Sequence, residues 1–225
     1  MKNNPYIGIL FSEDLKWTDH ITKITKKANS TLGFLRRNLY CPIKCKRAAY
    51  LSMVRSVLEY GATLWDPYLQ KEINMLEQVQ RKALRFIAGD FKSTQPGTIR
   101  RLHAKLNIPT LQERRKAIRL TFMYKVVEGL VPAMPHQNFI ELQKTKRQIR
   151  SRRDPNFDYK NNTIDRFIRN NDKCIVIKSA NSEQFKNSFF IRTAVDWNQL
   201  DNSVIQAKTP DSFKTILNKQ LNIRD

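Results

Sequence analysis

Between Tyr50 and Gly89, apolar side chains return every three or four residues on both sides of a single break, and few folds satisfy that pattern. Tyr50, Val54, Val57 and Leu58 make one stripe, and Ile73, Leu76, Val79, Ala83 and Ile87 make a second. Gly61 stands where the first run must end, because glycine enters the left-handed conformation at little steric cost. Leu64 and Trp65 turn the corner, and Asp66-Pro67 reads as a helix start, an acceptor side chain followed by proline. Two helices joined this closely pack antiparallel and bury their shared seam. Arg81, Lys82 and Arg85 fall off the second stripe, so the pair should turn a cationic face outward.

The same period continues on either side. Ile21, Ile24, Ala28, Leu32, Leu35 and Leu39 predict a helix capped by Thr18 or Asp19 and stopped by Pro42, with Lys23, Lys26, Lys27, Arg36 and Arg37 on its polar face. Before it, Tyr6 to Phe11 is an apolar run suited to a buried strand, with Gly8 where a backbone can approach closely. Ile99, Leu102 and Leu106 mark a short helix broken at Asn107–Pro109. Thr110 and Glu113 then form a capping box for a helix carrying Leu111, Ile118, Phe122 and Val126. Cys174 to Ile177 is a strand candidate, Phe189, Phe190, Val195 and Trp197 form an aromatic cluster, and Thr209-Pro210 opens a last amphipathic helix with Phe213 and Leu217. The fold class that follows is mainly α: a helical bundle with a short N-terminal strand and a smaller α+β C-terminal region. The expected divisions are a strand and loop at 1–17, a helical domain at 18–132, a basic linker at 133–170 and a C-terminal region at 171–225.

Charge narrows the function. The chain holds 41 Lys+Arg against 20 Asp+Glu, a formal net charge of +21. Such an excess costs stability through self-repulsion, and a polyanionic partner is the usual reason to keep it. Lys26, Lys27, Arg36, Arg37, Arg81, Lys82, Arg85, Arg114, Arg115 and Lys116 are assigned to helix faces opposite the apolar stripes. Lys146, Arg147, Arg150, Arg152 and Arg153 lie in the basic linker, which is expected to order only on meeting an anion. These residues are the candidate phosphate contacts. Tyr6, Trp17, Tyr68 and Trp197 are candidates to stack on bases, against the alternative of core or corner aromatics.

Other chemistries find less support. Paired carboxylates for two metal ions are not apparent, since the aspartates are scattered and several read as caps. Cys41 and Cys45 supply two zinc ligands at best, with His20, His103 and His136 far off in sequence. The spacing of a phosphate-cradling glycine loop is missing. No apolar run of about 18 residues exists, so no membrane span is expected. The start of the sequence is not a convincing signal peptide, and three cysteines make no disulfide framework, which together suggest an intracellular, reducing setting.

Several stretches taken together resemble the part of a non-LTR (LINE, jockey-like) retrotransposon reverse transcriptase that follows its catalytic motif. Tyr6, Gly8, Leu15, Trp17, His20 and Ile21 carry the first match, and Leu32 to Leu39 the second. Leu58-Glu59-Tyr60, Trp65-Asp66-Pro67 and Leu76 to Phe86 follow, then Pro109 to Arg115. Ser188-Phe189-Phe190, Arg192-Thr193, Trp197-Asn198, Leu200 and Ser212-Phe213-Lys214 complete the order. Ile191 and Asp201 depart from it, standing where the family usually has proline.

The resemblance implies the end of the palm, the thumb and the tail of an RNA-directed DNA polymerase. The catalytic carboxylates and their Mg²⁺ would belong to the complete parent enzyme, leaving this chain without a cofactor and inactive as a polymerase. Its partner would be RNA or an RNA–DNA duplex held by the phosphate backbone, with Tyr6 and Gly8 near the primer terminus by analogy with a primer grip. Two alternatives stand beside it: an interaction module docking on a missing palm domain or another protein, and a non-functional relic of a mobile element.

Overall fold

A computed structural model describes residues 3–93, 95–143, 171–221 and 223. The fold is mainly α-helical, with one small hairpin at its start. Strands β1 (Asn3–Tyr6) and β2 (Ile9–Ser12) pair antiparallel, Tyr6 opposite Ile9. The expected buried strand over Tyr6–Phe11 is therefore a hairpin. Its turn is Ile7-Gly8, both at positive φ (46° and 82°), the conformation that matches the twist of a two-residue connection. A β-branched residue rarely adopts it. Here the Ile7 carbonyl accepts a hydrogen bond from the Tyr60 hydroxyl at 3.1 Å.

Helix α1 (Thr18–Asn38) buries Ile21, Ala28, Leu32 and Leu35 as its period requires. No side chain caps it; the Thr18 hydroxyl instead donates to Oε1 of Glu72 at 2.6 Å. The run after Pro42 is a chain of short elements: α2 (Ile43–Ala49), a π-helical segment (Tyr50–Arg55), and α3 (Ser56–Glu59). The wider π turn leaves Tyr50, Val54 and Leu58 all fully buried. The Tyr50 hydroxyl donates to Oε1 of buried Gln80, whose Nε2 donates to the Pro109 carbonyl. Gly61 does end this run, at φ 66°, and a Cβ there would stand 2.6 Å from Cδ1 of Ile9. Its contact locks the hairpin onto the helices.

After α4 (Ala62–Trp65), α5 (Gln70–Ala88) starts from Leu69 as its N-cap residue, not from Asp66-Pro67. Asp66 is engaged elsewhere. Helix α6 (Thr98–Leu106) ends at Asn107 in the left-handed conformation, and α7 (Leu111–Val127) starts on the full Thr110/Glu113 capping box that the sequence predicts. Short α8 (His136–Phe139) and α9 (Glu183–Lys186) flank the undescribed stretch, and α10 (Phe189–Asn198), α11 (Asn202–Ile205) and α12 (Pro210–Gln220) close the chain. Cys174–Ile177 is not a strand. Among the described residues it contributes one antiparallel bridge, Ile175 to Leu142.

The buried side chains form two clusters. The first joins the hairpin, α1 and the elements through α6, and ends at Leu111; the second takes Ala117 to Val127 of α7 with α10 to α12. Helix α7 belongs to both, which explains why its inward residues do not follow a single stripe. Leu120, Met123 and Tyr124 are buried, while Ile118 and Phe122 are only half-buried. Two of its inward residues are arginines, Arg115 and Arg119.

Candidate nucleic-acid interface

Four exposed cations of α1 and α5 lie along one flank. Lys26, Asn29, Gly33, Arg36 and Arg37 recur at three- and four-residue steps, and so share a side of α1. Lys82 of α5 reaches across that flank to Oδ1 of Asn29 at 3.4 Å. Further along, the Arg36 guanidinium lies 5.2 Å over the ring of Phe91, just beyond the end of α5. Arg37 folds back over Gly33, where an added Cβ would meet its Nη1 at 3.5 Å. Lys26, Arg36, Arg37 and Lys82 are all exposed, and among the described residues none of them makes an ion pair.

The remaining candidates separate from this strip. Lys27 is exposed but is turned by about 100° from Lys26 around the helix axis. Arg81 lines a different hollow, with Arg100 and His103. Arg85 is half-buried and donates through Nη1 to the carbonyls of Asp90 and Ser93, closing the loop after α5. Lys146, Arg147, Arg150, Arg152 and Arg153 lie outside the described residues.

Arg114, Arg115 and Lys116 are not on an outward cationic face. Arg114 is half-buried and pairs through Nε and Nη2 with both oxygens of Glu59. Arg115 is fully buried, its Nε 2.9 Å from Oδ1 of Asp66. Lys116 binds Oδ1 of Asp196 at 2.9 Å. The cause is α7 itself: a helix wedged between two clusters has little outer face on which to keep charge.

The Arg115 and Lys116 pairs belong to a largely buried ionic layer that joins the two clusters. Asp66 also faces Nε of Arg119 at 2.8 Å, an ion-pair contact without hydrogen-bond alignment, and Nη1 of Arg192 at 3.3 Å. Arg119 continues through Nη2 to Oδ2 of Asp196 at 2.9 Å. Arg192 also donates through Nη1 to the carbonyls of Asp66 and Pro67. Four cations thus meet two carboxylates, and Nη1 and Nη2 of Arg115 meet no acceptor among the described residues. Burial pushes the Glu77 carboxyl up, an effect opposed by the Gln112 N–H and the nearby Arg115 charge. Burial likewise lowers the affinity of Arg192 for its proton, opposed by Asp66.

Sequence reasoning missed Asp66, Arg119, Arg192 and Asp196 as members of one group. The available signal was that Trp65-Asp66-Pro67, Glu113-Arg114-Arg115 and Arg192-Thr193 all carry charge next to residues expected in the core. Nothing in their spacing says that they meet.

The aromatic candidates also divide. Trp197 is fully buried, donates Nε1 to the Lys173 carbonyl at 2.8 Å and stacks on Phe213, so it is a core residue. Trp17 and Tyr68 are half-buried, and Tyr6 is 66% exposed at the hairpin tip beside Gly8. Among the described residues no three of His, Cys, Asp and Glu come together as a metal site, and no helix is long and apolar enough to cross a membrane.

The molecule is thus a mainly α-helical protein with a cationic flank on its N-terminal cluster and a buried ionic layer behind it. No family model matches the chain, and no solved structure matches it. Over 141 residues, 58% of this chain, it is 27% identical to a probable RNA-directed DNA polymerase from transposon BS of Drosophila melanogaster. Part of the chain is therefore related to the reverse transcriptases of non-LTR retrotransposons. The matched region spans only 15% of that relative's length.

Proposed function

We propose that this chain is a nucleic-acid-gripping region of reverse-transcriptase ancestry, equivalent to the thumb and tail, and that it binds RNA or an RNA–DNA duplex by its phosphates without polymerising. The observation that carries this reading is the strip formed by Lys26, Arg36, Arg37 and Lys82, exposed and free of ion pairs among the described residues. A rigid helix pair presenting cations along one flank suits backbone contact, which positions a duplex without reading its sequence. Tyr6 and Gly8, at the tip of the hairpin, would stand near a primer end.

Four phosphate contacts correspond to a slope of about −3.6 in log affinity against log salt, or about a 150-fold loss from 50 to 200 mM. Titrating the purified chain against an RNA–DNA hybrid across that range tests the reading. Binding that ignores salt, or no binding, would sink it.

A second reading is favoured by the hairpin side of the molecule. Tyr6, Ile7, Tyr60 and Leu64 stand exposed there, though Ile9 beneath them is buried. That surface would dock on a palm domain or another protein, and a palm segment of the parent enzyme added in trans should then bind. If Tyr6→Ser with Ile7→Ser leaves such binding unchanged, the surface is not the dock.

A further inference from the structure

A cleft of about 410 Å³ opens between the two clusters, immediately above the ionic layer. Its volume falls in the range of about 300–1,000 Å³ typical of small-ligand sites. Leu15 and Trp17 line it from the first cluster, Tyr68 from the connection before α5, and Phe185 and Phe189 from the second. At its buried end lie Arg119, Arg192 and Asp66.

Three features bear on what the cleft could hold. First, Leu15 is held in the left-handed conformation at φ 54°, with its side chain 58% exposed at the cleft wall. The turn is fixed by the Ser12 hydroxyl, which contacts Oδ1 of Asp14 and the Lys16 carbonyl, each at 2.6 Å; hydrogen bonds from Ser12 and from the Lys16 N–H hold the Asp14 carboxyl down to about 2. This conformation is uncommon for a non-glycine residue, and the turn around it keeps the side chain at the cleft wall. Second, the contacts of Arg192 to Asp66 and Pro67 all run through Nη1, and among the described residues no acceptor meets its Nε or Nη2. That leaves a guanidinium edge able to take an anion. Third, two fully or nearly buried guanidinium groups, Arg115 and Arg119, share Asp66 behind the cleft, and Arg119 lines its floor. Cations that outnumber the carboxylate they share favour an anion at the open end of the cleft.

We infer that this cleft takes one unpaired nucleotide of a single strand, its base against Trp17, Tyr68 and Phe185 and its phosphate on the open edge of Arg192. The inference rests on the reading of the chain as a nucleic-acid binder, but it concerns a different surface from the α1–α5 strip. Stacking a base on aromatic side chains is sequence-tolerant, so the site would hold a strand end or overhang of any sequence.

The test compares the full chain binding single-stranded octathymidylate with an octamer of the same sugar-phosphate backbone carrying no bases. The base-bearing strand should bind about 10-fold tighter, as one stacked base requires. That advantage should shrink in Phe185→Ala and in Tyr68→Ala, neither of which is fully buried. A strand carrying 4-thiothymidine should photo-crosslink to the Trp17, Tyr68 or Phe185 peptide. Lys26→Ala combined with Arg37→Ala and Lys82→Ala should weaken duplex binding and leave the base-dependent advantage in place. Equal affinity for the two octamers, an advantage unchanged in both aromatic variants, or crosslinks confined to α1 and α5 would each overturn the inference while leaving duplex binding intact. Loss of all nucleic-acid binding would remove both readings together.

Discussion

The two clusters handle positive charge in opposite ways. In the first, α1 and α5 pack by apolar seams and turn Lys26, Arg36, Arg37 and Lys82 to solvent. At the border of the second, Arg115, Arg119 and Arg192 turn inward and are met by Asp66 and Asp196. Exposed cations cost little in water and remain available to a partner. Buried ones are tolerated when paired, and such a pair adds little net stability while losing one partner is costly. The difference teaches that an excess of arginine in this chain serves two purposes, and that burial, not residue type, tells them apart.

The sharpest way to break the comparison is to unpair the inward set. Asp66→Asn leaves three guanidinium groups without their shared counter-ion and should cost about 3–5 kcal/mol, read from the urea midpoint. An unchanged midpoint would mean that apolar contact alone joins the clusters. Trp197→Ala removes the ring stacked on Phe213, at 5.9 Å between centroids, and should also cost about 3–5 kcal/mol. Hydrogen exchange should then rise in α10 and α12 before α1 and α5. A uniform rise would show that the shared α7 makes the two clusters one cooperative unit.

The outward set should behave differently. Lys26→Ala with Arg37→Ala should move stability by no more than about 0.5 kcal/mol. The same pair should flatten the salt slope for duplex binding by about 1.8, two phosphate contacts' worth. Thr110→Ala removes the cap of α7, the helix that both clusters use, and should cost about 1 kcal/mol in a thermal melt.

The smallest expected effect concerns pH. His20 is buried against Trp65, its Nδ1 facing the Leu10 N–H at 3.3 Å. Burial, aided by Lys23, lowers its pKa below the ordinary 6.5. The unfolded chain then binds the proton more readily, so the stability His20 contributes is whole above about pH 6.5 and declines as pH falls through that value toward the folded pKa. Melts between pH 7.5 and 5.5 should show this decline, and it should be absent in His20→Gln.

Much of the fold was legible because the helices of the first cluster each bury one face. The stripes of α1 and α5, the glycine stop at Gly61, the capping box at Thr110 and the helix start at Thr209-Pro210 all lie where the sequence places them. Failures fall where a local signal served a distant partner. Asp66-Pro67 reads as a cap but is an ion-pair hub, because its acceptors are claimed by residues from α7 and α10. Thr18 lost its capping role to Glu72 in the same way. Among the candidate phosphate contacts, the exposure of Lys26, Arg36, Arg37 and Lys82 was readable from helical spacing. Arg115 was not, since a helix buried on two sides leaves no polar face for the period to reveal.

The sequence by itself determined the helical class, the outward charge of α1 and the kinship with a retrotransposon polymerase, since each depends on spacing and residue order along the chain. Only the tertiary structure decided that Asp66, Arg115, Arg119, Arg192 and Asp196 form a single layer and that an aromatic cleft opens beside it. The reason is physical: whether a charged side chain is wet or buried is set by what packs against its helix, and those neighbours lie up to 126 positions away.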